Sequence, residues 1–343
     1  MLFAYYRLSC HNRASLKLGF LLMKQSNQWQ FALANVITNQ SELFKELELD
    51  ASHVSTDFPL RVPRGFVARM EKGNLNDPLL TQILPQQAEL VAMPGYCHDP
   101  LQESRFNPVP GLLHKYHGRV LLVTASGCAI NCRYCFRRHF AYDEQLLDQK
   151  NLERILHYIA NDQTITEVIY SGGDPLLAKD TQLKKLTEKI AAISHVKRLR
   201  IHTRLPIVIP ERINQEFINW FTATRLQPVM VVHCNHANEI DQHVKKAIAE
   251  LRSAQVAVFN QAVLLKRVND TAAALINLSE KLFAAGIMPY YLHLLDQVQG
   301  AAHFAVAEPT AKQLIKEVMK YLPGYLVPKL VKEQPDCDSK LPL

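Results

Sequence analysis

An α/β fold, with a parallel sheet curled into a partial barrel, is the class that the sequence predicts. Three observations predict it. From Arg119 onward, short runs rich in Val, Ile and Leu alternate with stretches of helical periodicity. Six such βα pairs follow one another, and consecutive units of this kind wind a parallel sheet with right-handed crossovers. The chemically distinctive residues fall at the C-terminal ends of the strands, where barrels of this kind place their chemistry. Six units stop short of the eight that close a full barrel.

The first strand is Val120–Thr124, and the helix after it carries Leu152, Ile155, Leu156 and Ile159 at helical spacing. Glu167–Tyr170 is the second strand, followed by a helix through Leu183, Leu186, Ile190 and Ile193. Arg198–His202 precedes a helix bearing Ile213, Phe217 and Trp220. Val229–His233 precedes one bearing Val244, Ile248 and Leu251. The fifth strand is Val256–Gln261, and its helix through Leu275, Leu278 and Leu282 stops at Gly286, a residue suited to a helix C-terminus. Pro289–His293 is the sixth strand. The last helix starts near Pro309 and ends before Pro323. The organisation expected is an extension over 1–28, an N-terminal helical cap over 29–112, the barrel over 113–325, and a C-terminal segment over 326–343. In the cap, Phe31, Leu33, Val36 and Ile37 form a helical stripe, and Ser41 is an N-cap candidate.

The chain has 343 residues, 48% apolar and 21% charged, which suits one large core and excludes a disordered chain. No apolar run reaches the ~18–20 residues of a membrane span. Seven cysteines, an odd number with three clustered, argue against a disulfide framework and for a reducing, cytoplasmic setting. The net charge is +7. Arg7, Arg13 and Lys17 supply three of those charges within the first 22 residues. The remaining surplus is weak support for nucleic-acid binding, and none is expected. Leu18–Leu22 is shorter than the apolar core of a signal peptide, at least ~7 residues. Residues 1–22 read as an upstream extension, with Met23 the more natural start.

Cys128, Cys132 and Cys135 stand in C-x3-C-x2-C spacing. Three thiolates can bind three corners of a four-iron four-sulfur cluster and leave the fourth iron open for chemistry. Zinc is the alternative, with His139 as a fourth ligand. Ser171-Gly-Gly-Asp174 follows the second strand, and as a bare motif it is a tight turn. Arg200, His202 and Arg204 alternate on one face of the third strand and its exit. His233 and His236 end the fourth strand, where a histidine is more often scaffold than catalyst. Arg137 suits bidentate pairing with a carboxylate. Lys115, Arg119, Asp296 and Lys340 are ordinary surface charges on spacing alone.

Three stretches together resemble the lysine 2,3-aminomutase family of radical S-adenosylmethionine (SAM) enzymes. They are Cys132-Arg-Tyr-Cys-Phe-Arg-Arg-His139, Tyr170-Ser-Gly-Gly-Asp-Pro-Leu-Leu177 and His202-Thr-Arg-Leu-Pro-Ile-Val-Ile-Pro210. The likeness covers roughly residues 29–343 and is nearest to the short bacterial branch linked to β-lysylation of elongation factor P. It implies an open partial (β/α)6 barrel whose C-terminal tail returns to the mouth. It implies a four-iron four-sulfur cluster on Cys128, Cys132 and Cys135, with SAM on the open iron and near Ser171, Gly172, Gly173, Asp174 and His202. It implies pyridoxal 5′-phosphate (PLP) on Lys340, the phosphate held by Lys115 and Arg119. Arg137 then takes the carboxylate of L-lysine, and Asp296 its ε-ammonium. The family's second acid for that ammonium is Glu333 here, not Asp, which leaves the strength of lysine selectivity open. The implied product is (R)-β-lysine for a partner ligase acting on elongation factor P, with an external reductant such as flavodoxin or ferredoxin. The longer aminomutases continue into a zinc-binding oligomerisation segment, so no zinc and a smaller assembly are expected. An aminomutase acting on another amino acid, or a non-enzymatic zinc module, are the alternatives.

Overall fold

The computed structural model describes residues 28–145 and 147–343. Residues 1–27 of the expected extension, with the alternative start at Met23, lie outside the described residues, and Gln28 already opens a helix. The strands are β1 (Leu112–Tyr116), β2 (Arg119–Ala125), β3 (Glu167–Gly172), β4 (Arg198–Thr203), β5 (Gln227–Val232), β6 (Ala257–Val263), β7 (Met288–His293), β8 (Lys329–Lys332) and β9 (Leu341–Pro342). They lie side by side in sequence order. β2 through β8 are parallel, while β1 and β9 pair antiparallel at the two ends. β1 and β9 do not pair with each other, so the barrel is open.

All six expected strands are present. The parallel sheet has a seventh, β8, inside the segment expected only as a tail. β8 is four residues long with Leu330 and Val331 buried, too short for a period-2 signal. β1 was also unexpected; it forms a hairpin with β2 in which Tyr116 pairs with Arg119.

Side chains alternate across each strand. One set, with Val120 and Leu122, Val168 and Tyr170, Leu199 and Ile201, Met230 and Val232, is buried. It packs against the outer helices α3 (Gln149–Asn161), α4 (Asp180–Ala191), α5 (Gln215–Thr222), α6 (Gln242–Ser253), α7 (Ala272–Ala284) and α8 (Glu308–Tyr321). The other set faces the lumen. There an ordinary barrel carries apolar layers, but here the positions include Glu167, Arg200, His202, His233, Gln261 and His293.

The N-terminal region is less helical than the sequence reading had it. Two helices of two turns, α1 (Gln28–Ala34) and α2 (Gln40–Glu46), and two single turns, Arg64–Val67 and Pro78–Thr81, are joined by long irregular stretches. Asp77 caps the last of these by accepting from Leu79 and Leu80 N–H. Trp29, Leu43, Phe66 and Leu80 join the same hydrophobic core as the barrel. This region holds the cysteine loop from outside. Asn131 donates from its backbone to Arg61 C=O (2.9 Å) and from its side chain to Pro59 C=O (2.9 Å). Arg133 is fully buried; it pairs with Glu89 and donates to Phe58 C=O and Thr56. Arg138 reaches the same Glu89 at 2.9 Å.

Candidate active site

β2 delivers the chain into the loop that carries Cys128, Cys132 and Cys135. The end of β3 lies directly behind it. Gly173 N–H donates to Ala125 C=O (2.8 Å), and Asp174 N–H to Gly127 C=O (2.7 Å). A Cβ on Gly172 would stand 2.4 Å from Ala125 O, and one on Gly173 2.2 Å from Gly127 O. The two glycines thus let two backbones touch. Asp174 is also turned inward: its carboxylate accepts from Thr203 Oγ1 (2.6 Å) and from the N–H groups of Arg204, Leu205 and Leu176. Burial raises its pKa while these bonds oppose the rise. Ser171 Oγ accepts from Arg137 (3.1 Å). The Ser-Gly-Gly-Asp stretch thus shapes and backs the cysteine loop.

Cys128, Cys132 and Cys135 lie near enough for their charges to influence one another. Burial, with neighbouring thiols adding, pushes the Cys128 thiol well up and Cys135 to about 11. Among the described residues, no group of three or more His, Cys, Asp or Glu is arranged around a single ion. In a cubane cluster each thiolate binds a different iron, so the sulfurs stand farther apart than the ligands of one ion. His139 is turned away from the thiols, stacked on His98 at 4.1 Å and near Gln299 C=O. It is not placed as a fourth ligand. The loop therefore fits a cluster with one open corner better than a zinc site.

Arg204 sits beside the cluster loop in a role the sequence did not show. Its Nη1 donates to Cys132 Sγ (2.6 Å) and Tyr134 OH (2.8 Å), and its Nη2 to Gln82 (2.8 Å) and Glu239 (3.1 Å). Glu239 also accepts from the N–H groups of Asn235 and His236. His236 itself accepts from Asn238 N–H, a capping contact away from the lumen. Of the two histidines that follow β5, His233 rather than His236 faces the site.

Below the loop, the lumen is polar and unsatisfied. His202 Nε2, His233 Nε2, His293 Nε2, Arg200 Nε and Gln261 Oε1 are buried without a hydrogen-bond partner in the protein among the described residues. Buried polar atoms are almost always paired, so this set fits a polar organic ligand. His202 and His233 stand with ring centroids 5.9 Å apart. Burial holds both below the usual histidine range, His233 at about 4, and nearby cations including Lys340 push the same way. His293 follows the same pattern. These imidazoles are neutral at pH 7, each with one nitrogen free to donate or accept.

The tail returns to this lumen. β9 pairs with β8 through Lys332↔Leu341 and places Lys340 at the mouth. Lys340 Nζ ion-pairs with Glu333 and lies 5.9 Å from the Tyr291 ring. Lys115, on β1, reaches Glu333 at 3.3 Å. Burial would raise Glu333, but Lys340 and then Lys115 outweigh it and hold the carboxyl at about 2. Arg119 lies over the Tyr116 ring at 4.7 Å. Burial lifts Asp296 to about 7; Glu333 adds to the rise, while Lys340 and Lys115 oppose it. The structure thus brings together Lys115, Arg137, His202, Asp296, Glu333 and Lys340, which the sequence scatters over 226 positions.

The Radical SAM superfamily model matches residues 122–218, from β2 into α5. An L-lysine 2,3-aminomutase of Escherichia coli is 51% identical over 322 residues, covering 92% of this chain and 94% of that one. Its counterpart in Haemophilus influenzae is 48% identical, covering 91% and 94%. The L-lysine 2,3-aminomutase of Clostridium subterminale is 32% identical, covering 92% of this chain and 78% of that one. With an open parallel barrel, a three-cysteine loop on its first parallel strand and relatives matched along nine-tenths of its length, the chain belongs to the L-lysine 2,3-aminomutase family of radical SAM enzymes.

Proposed function

We propose that this protein is an L-lysine 2,3-aminomutase that converts L-lysine to (R)-β-lysine, using a four-iron four-sulfur cluster, SAM and PLP. The observation that carries the reading is the convergence of Lys340, Asp296 and the unpaired lumen histidines beneath the three-cysteine loop. When bound, the cluster and SAM supply hydrogen-atom abstraction, and PLP supplies a carrier for the migrating nitrogen. The rest is positioning by this chain.

Cys128, Cys132 and Cys135 hold the cluster, and Lys340 holds PLP. Lys115 and Arg119 are the cations for its phosphate. Glu333, ion-paired to Lys340, holds that side chain at the barrel mouth where PLP would be attached. Arg137, two residues past Cys135 and hydrogen-bonded to Ser171, takes the α-carboxylate in this reading. Asp296 is placed for the ε-ammonium. An incoming cation lowers the cost of ionising a carboxyl raised to about 7, so the pocket prefers a basic side chain to an acidic one. That disfavours glutamate as the substrate. The neutral His202, His233 and His293 offer donors and acceptors to bound SAM or PLP without adding charge.

No helix among the described residues is long and apolar enough to cross a membrane. A cytoplasmic enzyme, reduced by a flavodoxin- or ferredoxin-type partner, fits the clustered free cysteines. The likeness to the short bacterial branch supports delivery of the product to the ligase that modifies elongation factor P. The test is product analysis: reduced, reconstituted protein incubated with L-lysine, SAM and PLP yields β-lysine. Turnover of glutamate instead, with lysine untouched, overturns the substrate assignment.

A further inference from the structure

Arg137 is not a free cation waiting in the mouth. Its Nε donates to Glu103 Oε2 (2.8 Å) and its Nη2 to Glu103 Oε1 (2.6 Å), a bidentate pair with both side chains almost wholly buried. Its Nη1 donates to Ser171 Oγ (3.1 Å) and Gly172 C=O (3.3 Å). Phe136 and Phe140 flank the guanidinium at 5.0 and 5.6 Å. Four hydrogen bonds thus tie the guanidinium to one charged partner and two neutral ones.

Glu103 is itself held in place. Gln102 adopts a left-handed conformation (φ 50°) that turns the chain into the short 3-10 segment Glu103–Phe106. Asp99 accepts from Glu103 N–H (3.0 Å) and from Ser104 Oγ (3.3 Å). A non-glycine residue in that conformation is uncommon and needs surrounding structure to maintain it.

Resting on the reading that Arg137 receives the substrate carboxylate, we infer that Glu103 is a positioning residue for that reaction. It fixes the guanidinium by its Nε/Nη2 edge and leaves the Nη1/Nη2 edge for the substrate. The relative strengths decide this. The Glu103 contacts join opposite charges at 2.6 and 2.8 Å, whereas the Ser171 and Gly172 contacts are longer and meet neutral acceptors. A carboxylate arriving at Arg137 displaces the long Nη1 contacts to Ser171 and Gly172 and leaves the Glu103 pair intact. Glu103 also balances the Arg137 charge before substrate binds, so the loop beside the cysteines is not a buried unpaired cation. The opposite arrangement, in which Glu103 occupies the subsite and must leave, predicts the opposite sign for its removal.

The experiment is calorimetric titration of oxidised, fully reconstituted protein, which binds without turning over. L-lysine is compared with L-lysinamide, which lacks the carboxylate. In Glu103→Gln, lysine should bind about tenfold more weakly, as loss of one charged contact implies, while lysinamide changes less than twofold. The lysine-to-lysinamide ratio within one preparation does not depend on how much of it is folded. In an Arg137→Lys background, Glu103→Gln should add nothing, because the two act as a unit. Tighter lysine binding in Glu103→Gln overturns the inference, as does an unchanged ratio. If Arg137→Lys itself leaves the ratio unchanged, the assignment of Arg137 to the carboxylate fails instead.

Discussion

Lys340 is ion-paired to Glu333, which also accepts from Lys115 at 3.3 Å. One carboxylate thus joins the cation proposed to hold PLP to a cation proposed for its phosphate. The pair is drawn together across the β8–β9 hairpin.

This places PLP attachment on one lysine. Borohydride reduction of the holoprotein should fix the cofactor to the peptide containing Lys340. Lys340→Ala should form no β-lysine, while keeping weak PLP binding through Lys115 and Arg119. Reduced cofactor recovered on a different lysine would overturn the assignment and leave the family membership untouched.

Glu333 contributes to stability with a definite sign in pH. Its folded-state carboxyl, at about 2, lies below its unfolded value of 4.5. The contribution is therefore full above the unfolded value and is lost as pH falls through the folded one. Glu333→Gln should lower apoprotein stability by about 1–3 kcal/mol at pH 7, with the gap to wild type closing toward pH 2. A gap that persists unchanged in acid would show that Glu333 acts through packing alone.

Asp296 works in the opposite direction. Its carboxyl titrates at about 7 before substrate binds. Below that pH, binding the ε-ammonium requires loss of a proton, and lysine affinity should fall about tenfold per pH unit. Asp296→Asn should bind lysine weakly and flatten that profile below about pH 7. A wild-type profile without slope there would contradict the role.

Replacing Cys132 by Ala should abolish SAM cleavage, because a second iron loses its protein ligand. Cys97, Cys234 and Cys337 lie outside the loop and should be dispensable for it. Deoxyadenosine production by Cys132→Ala at the wild-type rate would refute the cluster.

The strand order and the cysteine loop were legible because each leaves a local signature, period or spacing, whereas Lys340 stood out only through the family resemblance. The length of β8 hid it, and its pairing depends on β7, 36 or more residues earlier. Glu103 and Arg204 were illegible for a different reason. Their roles depend on where a side chain points from an irregular segment or a strand exit, and no periodicity encodes that. The Ser171–Asp174 stretch was found, but its glycines turned out to serve backbone contact with residues 125–127. A sequence motif marks a tight approach without saying what approaches. The lumen histidines were visible one at a time. Only the curvature of the sheet shows that they share a wall.

The clamp on the cysteine loop should be equally testable. Arg133→Ala leaves Glu89 buried with Arg138 as its remaining cation. Breaking one partner of a buried pair costs about 3–5 kcal/mol. Iron should then be lost faster to a chelator, which a time course of absorbance would follow.

That clamp also has an order in time. Residues 56–61 and 82–89 leave the ribosome before residues 128–138, and domains assemble as their parts become available. The loop thus emerges toward a surface already synthesised, with Glu89, Phe58 and Pro59 ready to receive it. Lys340 follows more than two hundred residues after Cys135, the last cysteine of the loop. Translation alone therefore makes the cluster cradle available well before the residue that completes the PLP site.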